Sequence, residues 1–259
     1  MTAGDSVADA LPVVVIPCYN EERRLDLERM AALAESDRLR LLFVDDGSTD
    51  GTGSVLERLQ VRAPQVAVLT IAQNVGKAEA IRRGLVQATD SGALMVGYYD
   101  ADLATPPSEL MRLVELLEGR SDLEFVTAAR VRLLGRRIER HSSRHYLGRI
   151  FATAASLILR IPVYDTQCGA KVFRTSPVVR EAIASPFRST WVFDVELIGR
   201  LLRGSETAEP LPLSSFEEMP LREWRDIPGS RLGFLQMARA AIDLAVVGLR
   251  LRRRGPRQD

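Results

Sequence analysis

Two acids placed two residues apart, Asp100 and Asp102, follow the apolar run Leu94-Met95-Val96-Gly97-Tyr98-Tyr99. Carboxylates at i and i+2, just past a buried strand, can converge on one hard cation. Magnesium or manganese bound by one or two protein carboxylates keeps its other positions for water and substrate phosphates. Two earlier apolar runs also end in acids. Leu11 to Ile16 leads into Pro17-Cys18-Tyr19-Asn20-Glu21, and Leu41 to Val44 leads into Asp45-Asp46-Gly47-Ser48. Ligands of open α/β sheets bind outside the carboxyl ends of the strands. Taken singly, Asp102 reads as a cap or turn residue ahead of Pro106-Pro107. Asp45 and Asp46 read as strand-end and turn residues, and Glu21 suits a first helical turn. Jointly, the three clusters mark one edge of one cleft.

Asn74-Val75-Gly76-Lys77 adds a cation after a fourth apolar stretch. It lacks the first glycine and the Ser/Thr of a Walker A loop, and no G-x-G-x-x-G follows any strand candidate. A P-loop is thereby excluded, and the missing glycine motif argues against a nicotinamide or flavin fold. His141 and His145 have i, i+4 spacing, but Arg144 between them makes a zinc-protease helix untenable.

The elements that must position these groups follow from pattern. Short apolar runs at Val13–Ile16, Leu41–Val44, Val66–Ile71, Leu94–Tyr99 and Leu123–Thr127 alternate with helical stretches at 21–36, 52–62, 76–89 and 107–118. That alternation predicts a parallel sheet covered by helices. The runs are rich in Val, Ile and Leu without strict alternation, as strands buried on both faces are. Past Arg130 come an arginine-dense segment to 149, a helix over Ile150–Leu159, a polar loop at 164–169 and a helix over Val192–Leu202. With 259 residues and no composition break, one domain is expected over 1–259. Its parts are a half at 11–130, an elaborated half at 131–230 and a basic helix at 231–259.

A net charge of +1 gives no reason to expect nucleic acid. Two cysteines, Cys18 and Cys168, are too few for a disulfide framework. Met1 to Ala10 has no signal-peptide pattern, and no stretch has the apolar length of a membrane span. A cytoplasmic protein is expected.

Val15-Ile16-Pro17-Cys18-Tyr19-Asn20-Glu21, Val44-Asp45-Asp46-Gly47-Ser48-Thr49-Asp50-Gly51-Thr52, Asn74-Val75-Gly76-Lys77 and the D-x-D Asp100-Ala101-Asp102 resemble the nucleotide-sugar half of family 2 glycosyltransferases. Asp165-Thr166-Gln167-Cys168-Gly169-Ala170-Lys171 and Phe193-Asp194-Val195-Glu196 resemble the polyprenyl-phosphate (dolichyl-phosphate) sugar transferases, and Asp100 to Thr105 looks closer to their glucosyl branch. The resemblance spans roughly 11–230. It implies an inverting enzyme of GT-A fold, with a mostly parallel, Rossmann-like sheet flanked by helices. It also implies that Pro17, Tyr19, Glu21 and Asp45 or Asp46 hold the nucleoside, with Lys77 nearby, and that Asp100 and Asp102 place Mg²⁺ or Mn²⁺ on the diphosphate. Arg130 and Arg144 match positions where relatives grip an acceptor phosphate. Ala104 stands where mannosyl relatives often carry glutamine, which tilts the donor from GDP-mannose toward UDP-glucose.

Two alternatives stay open. A hydroxyl acceptor, on a glycan or small molecule, would need a general base, for which Asp194 is the candidate. A nucleotide-sugar-binding protein without catalysis could share the fold. If the acceptor is a lipid phosphate, the enzyme must visit a membrane surface. A helix from about Arg231 to Arg254 carries Phe234, Leu235, Ala238, Ile242, Ala245, Val246 and Leu249 at helical spacing and ends in Arg250, Arg252, Arg253, Arg254 and Arg257. Asp243 and Arg239 argue against spanning. The expectation is peripheral, salt-sensitive attachment to the cytoplasmic face.

Overall fold

The five apolar runs are strands in a computed structural model that describes residues 11–139, 142–227 and 234–253. They are β1 (Val13–Cys18), β2 (Arg40–Asp45), β3 (Val66–Thr70), β4 (Met95–Tyr99) and β5 (Phe125–Ala129). With β7 (Ala170–Arg174) and β8 (Phe216–Pro220) they form one seven-stranded sheet ordered β3-β2-β1-β4-β7-β5-β8. A parallel pair, β6 (Arg137–Glu139) and β9 (Glu223–Arg225), stands apart.

Successive residues of the central strands face opposite cores. Val14, Ile16 and Cys18 of β1 belong to one apolar cluster, and Val13 and Val15 to the other. Leu41 and Phe43 of β2 split from Leu42 and Val44 in the same way. Burial on both faces is why the runs show no polar alternation. One face is covered by α1 (Leu27–Ala34), α2 (Thr52–Arg62) and α4 (Pro107–Gly119). The other is covered by α3 (Lys77–Asp90), α6 (Pro177–Ala184) and α7 (Phe193–Arg203). The predicted helix over 21–36 starts only at Leu27. Glu21 to Leu25 instead form a turn, and Asp26 caps the helix by accepting from Arg29 N at 3.0 Å.

β1 has β2 on one side and β4 on the other, and the chain moves from one helical layer to the other between them. That is the topological switch point, where the carboxyl ends of α/β sheets open into a crevice. β7 runs antiparallel to both neighbours, pairing Tyr99 with Ala170 and Phe125 with Phe173. Its direction brings residues 165–170 back to the carboxyl end of β4. The sheet is thus mostly parallel, with β7 reversed, as expected for a GT-A fold.

The C-terminal half adds α5 (Ser142–Leu159) and α8 (Phe234–Arg253). Leu244 and Val247 of α8 pack with Ala155 of α5 and Val192 and Val195 at the start of α7. Ile242, Val246 and Leu249, three of the apolar residues singled out in the sequence, point outward, each more than 40% exposed. The helix therefore binds the core by a different face from the one they form. Among the described residues, no helix is long and apolar enough to cross a membrane.

Candidate active site

The crevice at the switch point is a cavity of about 690 Å³ whose wall includes Pro17, Tyr19, Glu21, Asp46, Lys77, Asp100 and Asp102. Hydrogen bonds between the β1–α1 and β2–α2 loops shape one side. Glu21 N donates to Thr52 Oγ1 at 2.8 Å, and Thr49 N donates to Asn20 Oδ1 at 2.8 Å. Asn20 has φ 54°, a conformation asparagine tolerates better than most residues. Tyr19 stays exposed at the rim.

The two acids after β2 divide their work. Asp45 accepts from Ser48 N at 3.0 Å and is not on the cavity wall. Asp46 is on the wall, yet both its oxygens accept backbone donors, Val75 N and Gly76 N, each at 2.8 Å. It thereby fixes the loop that delivers Lys77 at the first position of α3.

Lys77 Nζ lies 2.6 Å from Asp100 Oδ1. Burial works against the lysine charge, but the carboxylates of Asp100, Asp194 and Asp102 outweigh it and hold the ammonium's pKa above its ordinary value. Asp102 accepts from Ala104 N at 3.0 Å, and its pKa is raised by burial and then by Asp100. Glu21 is raised chiefly by burial; Arg24 opposes the shift, and Asp102 and Asp100 add to it. Arg24, which the sequence reading missed, lies 3.3 Å from Glu21 and 3.9 Å from Asp102. Its signal was spacing, three residues beyond Glu21 in the same loop. Asp100 Oδ1 and Glu21 Oε2 are buried carboxylate oxygens that face cations, Lys77 Nζ at 2.6 Å and Arg24 Nε at 3.3 Å. Among the described residues, no three His, Cys, Asp or Glu side chains gather to hold a metal.

The motif 165–171 abuts this group. Asp100 N donates to Gly169 O at 2.9 Å, and a Cβ on Gly169 would meet Asp100 Oδ2 at 2.1 Å. Only glycine lets the carboxylate lie against this backbone. Two residues on, Lys171 is fully buried, 2.7 Å from Asp194 Oδ1 and 2.7 Å from Cys168 O. Tyr98 also donates its hydroxyl to Asp194 Oδ1, and Gln167 Nε2 donates to Oδ2 at 3.3 Å. Asp194 is thus brought close behind the acids but is enclosed by donors.

Arg130 leaves the carboxyl end of β5 and grips Asp165 bidentately, Nε to Oδ2 at 2.7 Å and Nη2 to Oδ1 at 2.9 Å. Its guanidinium lies 5.3 Å from the Trp224 ring centroid. Burial opposes its charge, Asp165 more than compensates, and Asp100 contributes from across the site. Glu218 of β8 holds the loop from beneath, accepting from Tyr164 N at 2.7 Å and Asp165 N at 2.8 Å. Arg144 lies on α5, and its side chain is outside the described residues. Trp191, which no local pattern singled out, stands on the cavity wall, 39% exposed.

The model of Glycosyl transferase family 2 matches residues 13–180. A dolichyl-phosphate beta-glucosyltransferase of Drosophila melanogaster is 32% identical over 92% of this chain and 74% of its own. Another, of Trichomonas vaginalis, is 28% identical over 95% of this chain and 73% of its own. Among solved structures, glucosyl-3-phosphoglycerate synthase from Mycobacterium tuberculosis, in complex with Mn²⁺, UDP-glucose and phosphoglyceric acid, superposes with a TM-score of 0.64 at 22% identity. That match covers 96% of this chain and 84% of the synthase.

Proposed function

Since the chain belongs to glycosyl transferase family 2, a family of sugar-transferring enzymes, we propose that it moves glucose from UDP-glucose to the phosphate of a polyprenyl- or dolichyl-type lipid, with inversion at the anomeric carbon. One observation carries this reading: the bond from Asp100 N to Gly169 O joins the Asp100–Asp102–Lys77 cluster to the loop that holds Asp165 and Arg130. The first cluster suits a nucleoside diphosphate and the second a phosphate monoester. The dolichyl-phosphate relatives support the acceptor class.

Pro17, Tyr19 and Glu21 border the space for the nucleoside, and Asp46 supports it by fixing the loop before Lys77. Two carboxylates on the cavity wall, with Lys77 Nζ already held against Asp100 Oδ1, make an anionic oxygen set that fits a divalent cation, Mg²⁺ or Mn²⁺, which Asp100 and Asp102 would hold. Bound there, the cation would neutralise charge developing on the departing diphosphate. In transfer, an acceptor phosphate oxygen forms its bond to the sugar C1 as the C1–O bond to the diphosphate breaks, and the electron pair leaves with UDP. A phosphate monoester has its second pKa at about 6, so it arrives ionised and needs no base. That suits the site, because the base candidate Asp194 already has two donors on Oδ1. Arg130, oriented by Asp165, keeps its remaining N–H groups for the acceptor, with Arg144 as its partner. Attachment is peripheral, at the cytoplasmic membrane face, through the outward stripe Ile242, Val246 and Leu249 and the arginines that follow.

The test is a matrix of UDP-glucose, GDP-mannose and UDP-N-acetylglucosamine against polyprenyl phosphate, a free polyprenol and soluble sugars. Lipid-extractable glucose only with UDP-glucose and the phosphate is the expected result. Transfer to an alcohol or sugar instead would establish the hydroxyl reading, and donor binding without turnover the non-catalytic one.

A further inference from the structure

We propose that the turn Leu133-Leu134-Gly135-Arg136 is a second membrane contact, inserting its two leucines into the lipid surface beside the acceptor-phosphate arginine. Leu134 is fully exposed, and Leu133 is half-exposed. Isolated exposed leucines are ordinary. This pair is distinguished by its mount and its neighbours.

The mount is stiff. Arg136 N donates to Leu133 O at 3.1 Å, and Gly135 takes φ 78°, the geometry of a type II turn with glycine in its left-handed position. One end of the segment leaves β5 with Val131 N donating to Ala129 O at 3.0 Å. The other enters β6, where Arg137 N donates to Arg222 O at 2.7 Å and the strand pairs with β9. A turn pinned at both ends pays its ordering entropy on folding and not on binding.

The neighbours point to an anionic lipid surface. Residues 130–140 contain Arg130, Arg132, Arg136, Arg137 and Arg140 against one acid, Glu139. Among the described residues, neither Arg136 nor Arg137 pairs with an acidic side chain. Leucines flanked by arginines match a bilayer boundary, apolar beneath and anionic at the surface. The position adds a reason. Arg130, three residues before Leu133, is the residue assigned to the acceptor phosphate, and the prenyl tail of that acceptor lies in hydrocarbon. The inference rests on the lipid-phosphate reading and extends it by naming where the protein meets the bilayer.

The experiment uses the full chain, with Leu133→Asn and Leu134→Asn combined, and vesicles of phosphatidylcholine and phosphatidylglycerol. Both side chains are exposed, so the thermal transition should not move. Partitioning to vesicles should fall about tenfold or more, the scale expected for two leucines withdrawn from hydrocarbon. Turnover on a short, water-soluble prenyl phosphate should stay unchanged, while KM for the long-chain phosphate in vesicles rises. Unchanged partitioning overturns the proposal, as does an oligomer that dissociates in the double variant, which would make the turn a contact between copies. Leu134→Trp supplies a readout that needs no turnover. The indole emission of that variant should shift to the blue on vesicles and be quenched by brominated acyl chains, and no shift overturns insertion. A chain that glucosylates no prenyl phosphate, yet still shows this blue shift in the Leu134→Trp variant, would overturn the enzymatic reading and leave the insertion standing.

Discussion

The Ser189 hydroxyl donates to Asp243 Oδ2 at 2.6 Å and accepts from Trp191 N at 3.1 Å and Val192 N at 3.0 Å. One buried oxygen therefore ties α8, whose far face carries the exposed apolar stripe, to the loop that sets Trp191 on the cavity wall. Asp243→Ala removes a hydrogen bond to a charged acceptor, worth about 1.5 kcal/mol. The urea midpoint should fall accordingly, and KM for the nucleotide sugar should rise more than kcat falls, because Trp191 loses its setting and the acids do not.

Asp102→Ala should reduce transfer at least about a hundredfold while leaving the circular dichroism spectrum unchanged. EDTA in excess should do the same to the wild-type protein. Full activity in either condition would remove the metal assignment.

Gly169→Ala places a methyl group 2.1 Å from Asp100 Oδ2. Overpacking of this kind costs about 1–3 kcal/mol, and the carboxylate must move. Transfer should fall far more than the melting temperature suggests, and the metal concentration for half-maximal activity should rise. A variant with wild-type metal dependence would show that Asp100 does not depend on this close approach.

Asp102 has a folded pKa above its unfolded value, set by burial and by Asp100. Such a group contributes stability below the unfolded pKa and loses it as pH rises through the folded one. Asp102→Asn should therefore be more stable than wild type at pH 7 and lose that advantage at pH 3, in paired urea titrations. Activity of the wild type has the opposite dependence. It should fall on acidification, with the metal concentration for half-maximal activity rising, because the carboxyl must lose its proton before it can hold the cation.

Arg130→Ala strips the bidentate partner from buried Asp165, at a cost of about 3 kcal/mol, so lost activity alone would be ambiguous. Arg130→Lys keeps the charge and loses the fork. It should raise KM for the prenyl phosphate at least about tenfold, with donor hydrolysis unchanged. Arg144→Ala should act in the same direction. Full transfer in a chain carrying both Arg130→Ala and Arg144→Ala would remove the phosphate-grip assignment.

What the residues determined by themselves was local and periodic. Buried Val-, Ile- and Leu-rich runs alternating with helices dictated the parallel half of the sheet. Acids at the ends of β1, β2 and β4 sat at the carboxyl edge because strand direction puts them there, so Glu21, Asp46, Asp100 and Asp102 could be assigned to one cleft. The tertiary structure decided what depends on pairing between distant segments. Reversal of β7 brings Gly169 against Asp100 across 69 positions, and no local period encodes the direction of a strand. Asp45 and Asp46 look alike in sequence, but only the fold turns one away from the cavity and binds the other to Val75 and Gly76. Trp191 and Glu218 are ordinary residues until long-range packing delivers them to the site. The periodicity of α8 showed an apolar stripe. That the stripe faces outward follows only from Leu244 and Val247 taking the inward side, a choice made by the surfaces of α5 and α7.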